Sequence, residues 1–340
     1  MSPLLRSVLL RLGAIATLGA CSTDRPLAPA LPDSPSPNVV PPAKAYRAII
    51  PAGLGGYLSD VNDNLQVAGW DGLDAYIYDG RSATTRVLSR RGWYAAQTRA
   101  INAFGDVGGF VSDVNLTPFP AVWMASVGRP NVLHEDGWVY GLNDLQVAVG
   151  SYRPSPGVTR AFVWNVKSGT FDRLPIPKGT VNSYAEDINN DNVIIGSVDG
   201  FGSVVWRPSA SGYSITRLTG FSSVTGIDGG LGVVGTQSVA GGSQQAVFGS
   251  PQLQGAFVGP WSAAYDVNGW GIAVGTVLTP TGVFLPWIGD RAGTITYLPH
   301  PTAAPGTASA QAVAVNNCGF VVGISVVGGV YVPTLWDPGC

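Results

Sequence analysis

The sequence predicts an all-β ring of seven four-stranded units, a seven-bladed β-propeller closed by its own N-terminal strand. Three observations predict it. An Asn or Asp followed seven residues later by Gly returns seven times, every copy carries the same order of apolar and aromatic positions, and the last copy is one strand short while a spare strand precedes the first.

The composition agrees with strands. The chain has 340 residues, 45% hydrophobic and only 12% charged, with 46 Gly and 26 Pro. β-Branched and aromatic side chains fit a pleated surface, and Gly supplies the positive φ of tight turns. No long amphipathic helix pattern follows residue 20. The net charge is −2 and no basic run occurs. Nucleic acid, which needs clustered Lys and Arg to displace phosphate counterions, is excluded as a partner.

The first segment, residues 1–20, has the layout of a signal peptide: Arg6 and Arg11, then an apolar run over 12–20. A bilayer span takes about 20 apolar residues, so this run is too short to cross. The stretch "LGAC" at 18–21 resembles the lipobox of bacterial lipoproteins, with Leu18 at minus three, small residues next, then Cys21. The resemblance implies that Cys21 becomes the acylated first residue of the mature chain and holds it to a lipid bilayer. Ser22, where an Asp would signal retention, resembles lipoproteins forwarded to the outer membrane or cell surface. The plainer alternative is a secretory signal with a chance Cys at its end. From 22 to 44 the sequence carries seven prolines and no aromatic residue. Such a segment buries too little apolar surface to fold and serves as an extended spacer. The expected domains are therefore 1–20, 21–44 and 45–340.

Within 45–340 the seven motifs start at Asn62, Asn102, Asn143, Asn189, Asp228, Asn268 and Asn316, separated by 40, 41, 46, 39, 40 and 48 residues. An aliphatic residue precedes each: Val61, Ile101, Leu142, Ile188, Ile227, Val267, Val315. About twenty residues further on stands an aromatic: Tyr78, Trp123, Trp164, Trp206, Phe248, Trp287, Trp336. A further short apolar segment follows in most copies, marked by Leu133, Leu174 and Leu298. Four short strands in about 40 residues is the content of one propeller blade. The seventh copy ends just after Trp336, while "AYRAII" (45–50) supplies a strand of the missing type before the first copy. Pairing residues 46–50 with the strand around Trp336 completes the seventh blade and removes the exposed sheet edges. An open solenoid has no reason to split a repeat in this way.

The core "INNxGxVVG" followed by "AVW" (121–123) or "AFVW" (161–164) resembles the HAF repeats, probable extracellular repeats of bacterial secreted proteins. The resemblance covers 45–340 and blurs at the fifth copy, with "DGGLGVVG" at Asp228 and Phe248 in place of Trp. It implies location and architecture and transfers no catalytic residue.

The motif itself has two readings, shown best by "DINNDNVIIG" (187–196). In an Asn-x-x-Gly turn the first side chain bonds the backbone two residues on, and the fourth residue is left-handed. Gly105, Asn192, Gly271 and Gly319 at that place tolerate positive φ, as a three-residue hairpin with a bulge requires. A calcium loop needs oxygens at positions one, three and five and a carboxylate further on. Asp187, Asn189 and Asp191 meet the first part, and Asp60, Asn62 and Asn64 nearly do. The ninth positions, Ala68 and Ile195, offer no side-chain oxygen, and neither segment pairs a Gly at six with a Glu at twelve. A turn is the favoured reading, and no metal or other cofactor is expected.

Asp60, Asp187 and Asp266 stand two residues before the turn Asn, on the strand nearest the central channel. Three carboxylates near one axis suit acid/base chemistry. The plainer reading is that each caps backbone groups at a strand end. His134 and His300 lie in different blades and form no ligand set. Cys318 and Cys340 both belong to the closing blade, and a bridge between them suits an oxidising compartment. Trp123, Trp164, Trp206, Trp287 and Trp336 are blade core, whereas Trp70, Trp93, Trp138, Trp261 and Trp270 fall outside that register. Exposed on a face, such rings can stack on sugars or hold a protein.

The expected function is that of a monomeric, lipid-anchored binding module of the cell envelope, with an unknown protein or glycan as ligand. The alternative is an extracellular polysaccharide lyase or hydrolase using Asp60, Asp187 and Asp266. A purely structural envelope protein is the third reading. Aspartates buried against backbone partners count against the enzyme.

Overall fold

The computed structural model describes residues 46–239, 242–250, 253–256, 259, 261–304 and 306–339. The expected signal peptide, Cys21, the linker and Cys340 lie outside the described residues. Twenty-eight strands make seven four-stranded antiparallel sheets, and no helix occurs among the described residues. Six sheets are meanders in chain order. The first strand of each blade packs beside the first strands of its neighbours around a common axis. These inner strands are β2 (Tyr57–Val61), β6 (Ala95–Ile101), β10 (Gly137–Leu142), β14 (Ser183–Ile188), β18 (Ser223–Ile227), β22 (Ser262–Val267) and β26 (Ala310–Val315).

The seventh sheet closes the ring as its sequence predicts. β1 (Arg47–Ile49) pairs antiparallel with β28 (Val330–Asp337), Ala48 opposite Trp336, and becomes the outer strand of the last blade. β1 is shorter than the expected 46–50. Tyr46 stands outside it and donates its hydroxyl to the carbonyl of Gly319 at 3.1 Å. Most outer strands are short: Leu133, Leu174 and Leu298 fall just after β9 (Pro130–Val132), β13 (Thr170–Arg173) and β25 (Ile295–Tyr297), and the last two are buried there.

The core lies between the blades. Trp206 of the fourth blade packs on Val147, Val149 and Ala161 of the third, Trp123 on Ala68 and Ile77 of the first, and Trp336 on Val274 and Ile288 of the sixth. The aromatic at the repeat position is thus a wedge driven into the preceding blade, except in the fifth blade, where Phe248 packs on the cluster shared with the sixth. The indole N–H of Trp123, Trp206 and Trp336 donates to the carbonyl of Ser89, Pro175 and Pro299, also in the preceding blade. Apolar area and an obligatory donor are satisfied by one neighbour, which sets the distance between sheets.

Candidate functional site

The seven motif turns gather at one mouth of the axial channel. Each Asn or Asp accepts, through Oδ1, the backbone N–H two and four residues on; Asn62 bonds Asn64 and Gln66, and Asn316 bonds Cys318 and Phe320. The same pair recurs at Asn102, Asn143, Asn189, Asp228 and Asn268. Of the oxygens a calcium loop would offer, Asn189 Oδ1 and Asn62 Oδ1 at the third position accept these N–H groups. The fourth residue is left-handed in every copy, including Leu65 (φ 59°), Gln146 (φ 61°) and Leu231 (φ 64°), which sequence alone did not mark. The two side-chain caps hold even these residues in the αL region, which costs an L-residue about 1–2 kcal/mol.

The other end of each amide reaches the next blade. Nδ2 of Asn62 donates to the carbonyl of Asn102 at 2.9 Å, and the chain of bonds runs on through Asn143, Asn189 and Asp228. It resumes from Asn268 to Asn316 and from Asn316 back to Asn62. A carboxylate has no hydrogen to donate, so Asp228 breaks the circle. Arg291 takes that place: its guanidinium pairs with the buried carboxylate of Asp228 and lies 5.3 Å from the Phe248 ring centre. Burial raises the Asp228 carboxyl above its ordinary range, and Arg291 pulls it back down. The mouth encloses about 860 Å³ and is lined by motif residues of all seven blades. A second tier, from Asn317 to Asp63 and between Asp144 and Asn190, rims it, and Trp270 stands 70% exposed at its edge.

Behind the mouth sit Asp60, Asp187 and Asp266, on the innermost strands as expected. Asp60 accepts the N–H of Val61 at 2.7 Å and, across the blade boundary, that of Ile101 at 2.8 Å. Asp187 does the same with Ile188 and Ile227, and Asp266 with Val267 and Val315. The aspartates are clips between blades. The intervening positions are small, because a Cβ on Gly141 would lie 3.0 Å from the Asp187 Cα and one on Gly226 3.1 Å from the Asp266 Cα. Burial pushes Asp60 up to about 7, Asp187 to about 8 and Asp266 to about 6, and Asp266 adds to the shifts of Asp60 and Asp187.

Towards the opposite mouth every inner strand carries a β-bulge at one place, three residues before the motif. The extra residues are Ser59, Arg99, Tyr140, Glu186, Thr225, Tyr265 and Val313. A bulge re-aims a side chain, and these are half-buried or exposed, each directly after a buried residue. Burial raises Glu186, and Arg99, two blades away, lowers it. The signal for these residues was present in the repeat period. The bulge that makes them inward-facing was not.

The aromatics outside the repeat register gather mainly at this second mouth, where inner strands begin and second-to-third-strand hairpins turn. Tyr57 stacks on Trp70 at 4.8 Å and lies 6.2 Å from Tyr331 of the seventh blade, which is 57% exposed. Trp93 packs against Phe119 at 4.8 Å, Trp138 lies under the Arg153 guanidinium at 4.5 Å, and Trp261 is 59% exposed. Trp270 belongs to the asparagine mouth instead. His134 is exposed on a loop, and His300 bonds the carbonyl of Val326 and the N–H of Ala303, a loop-fastening role. Cys318 is disulfide-bonded, while Cys340 lies outside the described residues. Arg291, 63 residues from Asp228, carried no sequence signal.

No protein-family model matches the chain, and no curated protein matches it. Solved structures do. The β-propeller domain of the Trilobed protease from Pyrococcus furiosus, described as having an open velcro topology, is 13% identical, with a TM-score of 0.59 over 83% of this chain and 93% of that one. An oligogalacturonate lyase from Vibrio parahaemolyticus is 12% identical, TM-score 0.55, over 87% and 97%. The WD40 repeats of RRP9 are 12% identical, TM-score 0.53, over 86% and 97%. At such identities the likeness shows the fold alone. The fold is a seven-bladed β-propeller.

Proposed function

We propose that this propeller is a binding module of the cell envelope, tethered through acylated Cys21 and the spacer 22–44, which engages its ligand with the face where the inner strands begin. The resemblance of its repeats to HAF repeats supports an extracellular location. The observation that carries the reading is the aromatic row Trp70, Tyr57 and Tyr331 spanning two blades on that face. Tyr46, the first described residue, bonds Gly319 at the asparagine mouth, the end of the channel opposite the aromatic face. The carboxylates of the polysaccharide-lyase or hydrolase reading each accept two backbone N–H groups and are committed to holding blades together. This use of the carboxylates supports the binding reading over the enzyme one.

The test immobilises the full chain and its Tyr57→Ala/Tyr331→Ala variant and passes fractionated envelope polysaccharide and envelope protein over both. Retention by the parent that the variant loses supports the reading. Retention by neither, or equally by both with matched melting points, overturns it.

A further inference from the structure

We infer that a gap in the rim of the asparagine mouth, over the fourth to sixth blades, is a subsite for the acetamido group of an N-acetylated amino sugar. It lies at the end of the channel away from the aromatic row and does not depend on it. The residue after each motif Asn or Asp forms this rim. In four blades its backbone N–H is taken by a side-chain oxygen of the next blade: Ala103 by Asp144, Asp144 by Asn190, Gly269 by Asn317 and Asn317 by Asp63, at 2.8–2.9 Å. The N–H groups of Asp63, Asn190 and Gly229 have no acceptor among the described residues, because the next blade supplies Ala103, Gly229 and Gly269, which carry no side-chain oxygen. Two of these three places, at Asn190 and Gly229, are consecutive.

The double gap is open and set in advance. A Cβ added at Gly229 would meet nothing within 4 Å, and Gly229 is exposed at the mouth of about 860 Å³. Asn189 caps Asp191 and Val193, and Asp228 caps Gly230 and Gly232, so both turns hold their free N–H groups in place before a ligand arrives. A concave site with a few placed polar groups suits a small ligand.

The filled blades show what chemistry fits. Asn190 accepts the Asp144 N–H on its amide oxygen and donates its amide N–H to the Asp144 carboxylate at 2.7 Å; Asn317 accepts from Gly269 and donates to the Asp63 carboxylate at 2.8 Å. An acetamido group carries the same acceptor and donor on one carbon. At the gap Asn190 and Gly229 supply the N–H, and the exposed Asp191, whose carboxylate has no hydrogen bond among the described residues, supplies an acceptor. An anion is disfavoured there. Asp63, Asp144 and Asp191 line the mouth, no Lys or Arg does among the described residues, and Arg291 is paired with the buried Asp228. Trp270, directly after Gly269 and 70% exposed, gives the C–H face of a pyranose ring a platform beside the gap.

The full chain is titrated with β-1,4-linked trimers of N-acetylglucosamine and of glucose, with the anionic trimer of galacturonate and with a capped asparagine amide, read by ligand-observed saturation transfer and tryptophan fluorescence. The N-acetylglucosamine trimer is expected to bind and the other two trimers to bind about tenfold or more weakly, a step of the order one ligand hydrogen bond supplies. Gly229→Asn places at the gap the side chain that Asn190 and Asn317 bring to their own blades, and should weaken the trimer about tenfold or more with the melting point unchanged or raised. Trp270→Ala should weaken it too and remove the fluorescence change, which keeps the test intact should Gly229→Asn lower the melting point. Equal binding by the parent and both variants overturns the subsite. A glucose trimer bound as tightly, or a galacturonate trimer bound more tightly, overturns the acetamido assignment. Tighter binding of the asparagine amide than of any trimer overturns the sugar in favour of a peptide, and binding of no probe overturns the inference.

Discussion

The side-chain amide of Asn316 donates to the carbonyl of Asn62 at 3.0 Å across 254 residues of sequence, while its Oδ1 caps the N–H groups of Cys318 and Phe320. One side chain thereby serves the turn of the last blade and the junction with the first. Asn316→Ala is expected to lower stability by about 2–4 kcal/mol, because two buried N–H groups lose their acceptor and the junction its donor. Asn316→Asp keeps the cap but turns an unpaired buried carboxylate oxygen towards the Asn62 carbonyl, so without a counter-charge such as Arg291 gives Asp228 it should cost at least as much as Asn316→Ala near neutral pH. Urea unfolding of the three proteins measures both steps.

Asp228 and Arg291 give a second expectation. Arg291→Met leaves a buried carboxylate without its counter-charge and should cost about 1–3 kcal/mol, discounted for the half-exposed guanidinium. Combining it with Asp228→Asn restores an amide able to donate to the Asn268 carbonyl, which completes the circle. The double variant should recover most or all of the loss. A double variant no more stable than Arg291→Met alone would show that the circle of amides contributes nothing at that junction.

The aspartate clips make stability depend on pH in a definite direction. Asp60, Asp187 and Asp266 have folded-state values of about 7, 8 and 6 against about 3.9 in an unfolded chain. The folded state therefore binds protons more tightly. The resulting stabilisation is fully present below about pH 4 and is lost as pH rises through 6 to 8. Glu186 and Asp228, also raised, act with the same sign. The urea midpoint should fall between pH 5 and pH 8.5, and Asp187→Asn should flatten that fall. A midpoint that rises over this range would contradict the assignment.

Left-handed residues separate backbone strain from packing. Ala83 is exposed with φ 53°, so Ala83→Gly should stabilise by up to about 1 kcal/mol as the strain is relieved. Leu65, at φ 59°, is 1% exposed and belongs to the core between the first and seventh blades. Leu65→Gly should destabilise by about 2–4 kcal/mol despite the same relief, because the lost burial outweighs it. Thermal melts of the two variants should move in opposite directions.

What could be read from the sequence was whatever repeats with the period or acts within one turn. Seven motifs, the aliphatic residue before each, the aromatic beyond it and the strand displaced to the N-terminus predict blade number, strand order and the pairing of the N-terminal strand with the strand around Trp336. The turn chemistry of Asn189 was legible because its partners stand two and four residues away. Only the tertiary structure decided what crosses between blades. That Asp60 accepts from Ile101 and that Arg291 answers Asp228 both depend on how neighbouring sheets are rotated and spaced. That spacing is set by packing of the tryptophan wedges, and periodicity records which residues repeat without recording the angle at which one sheet meets the next.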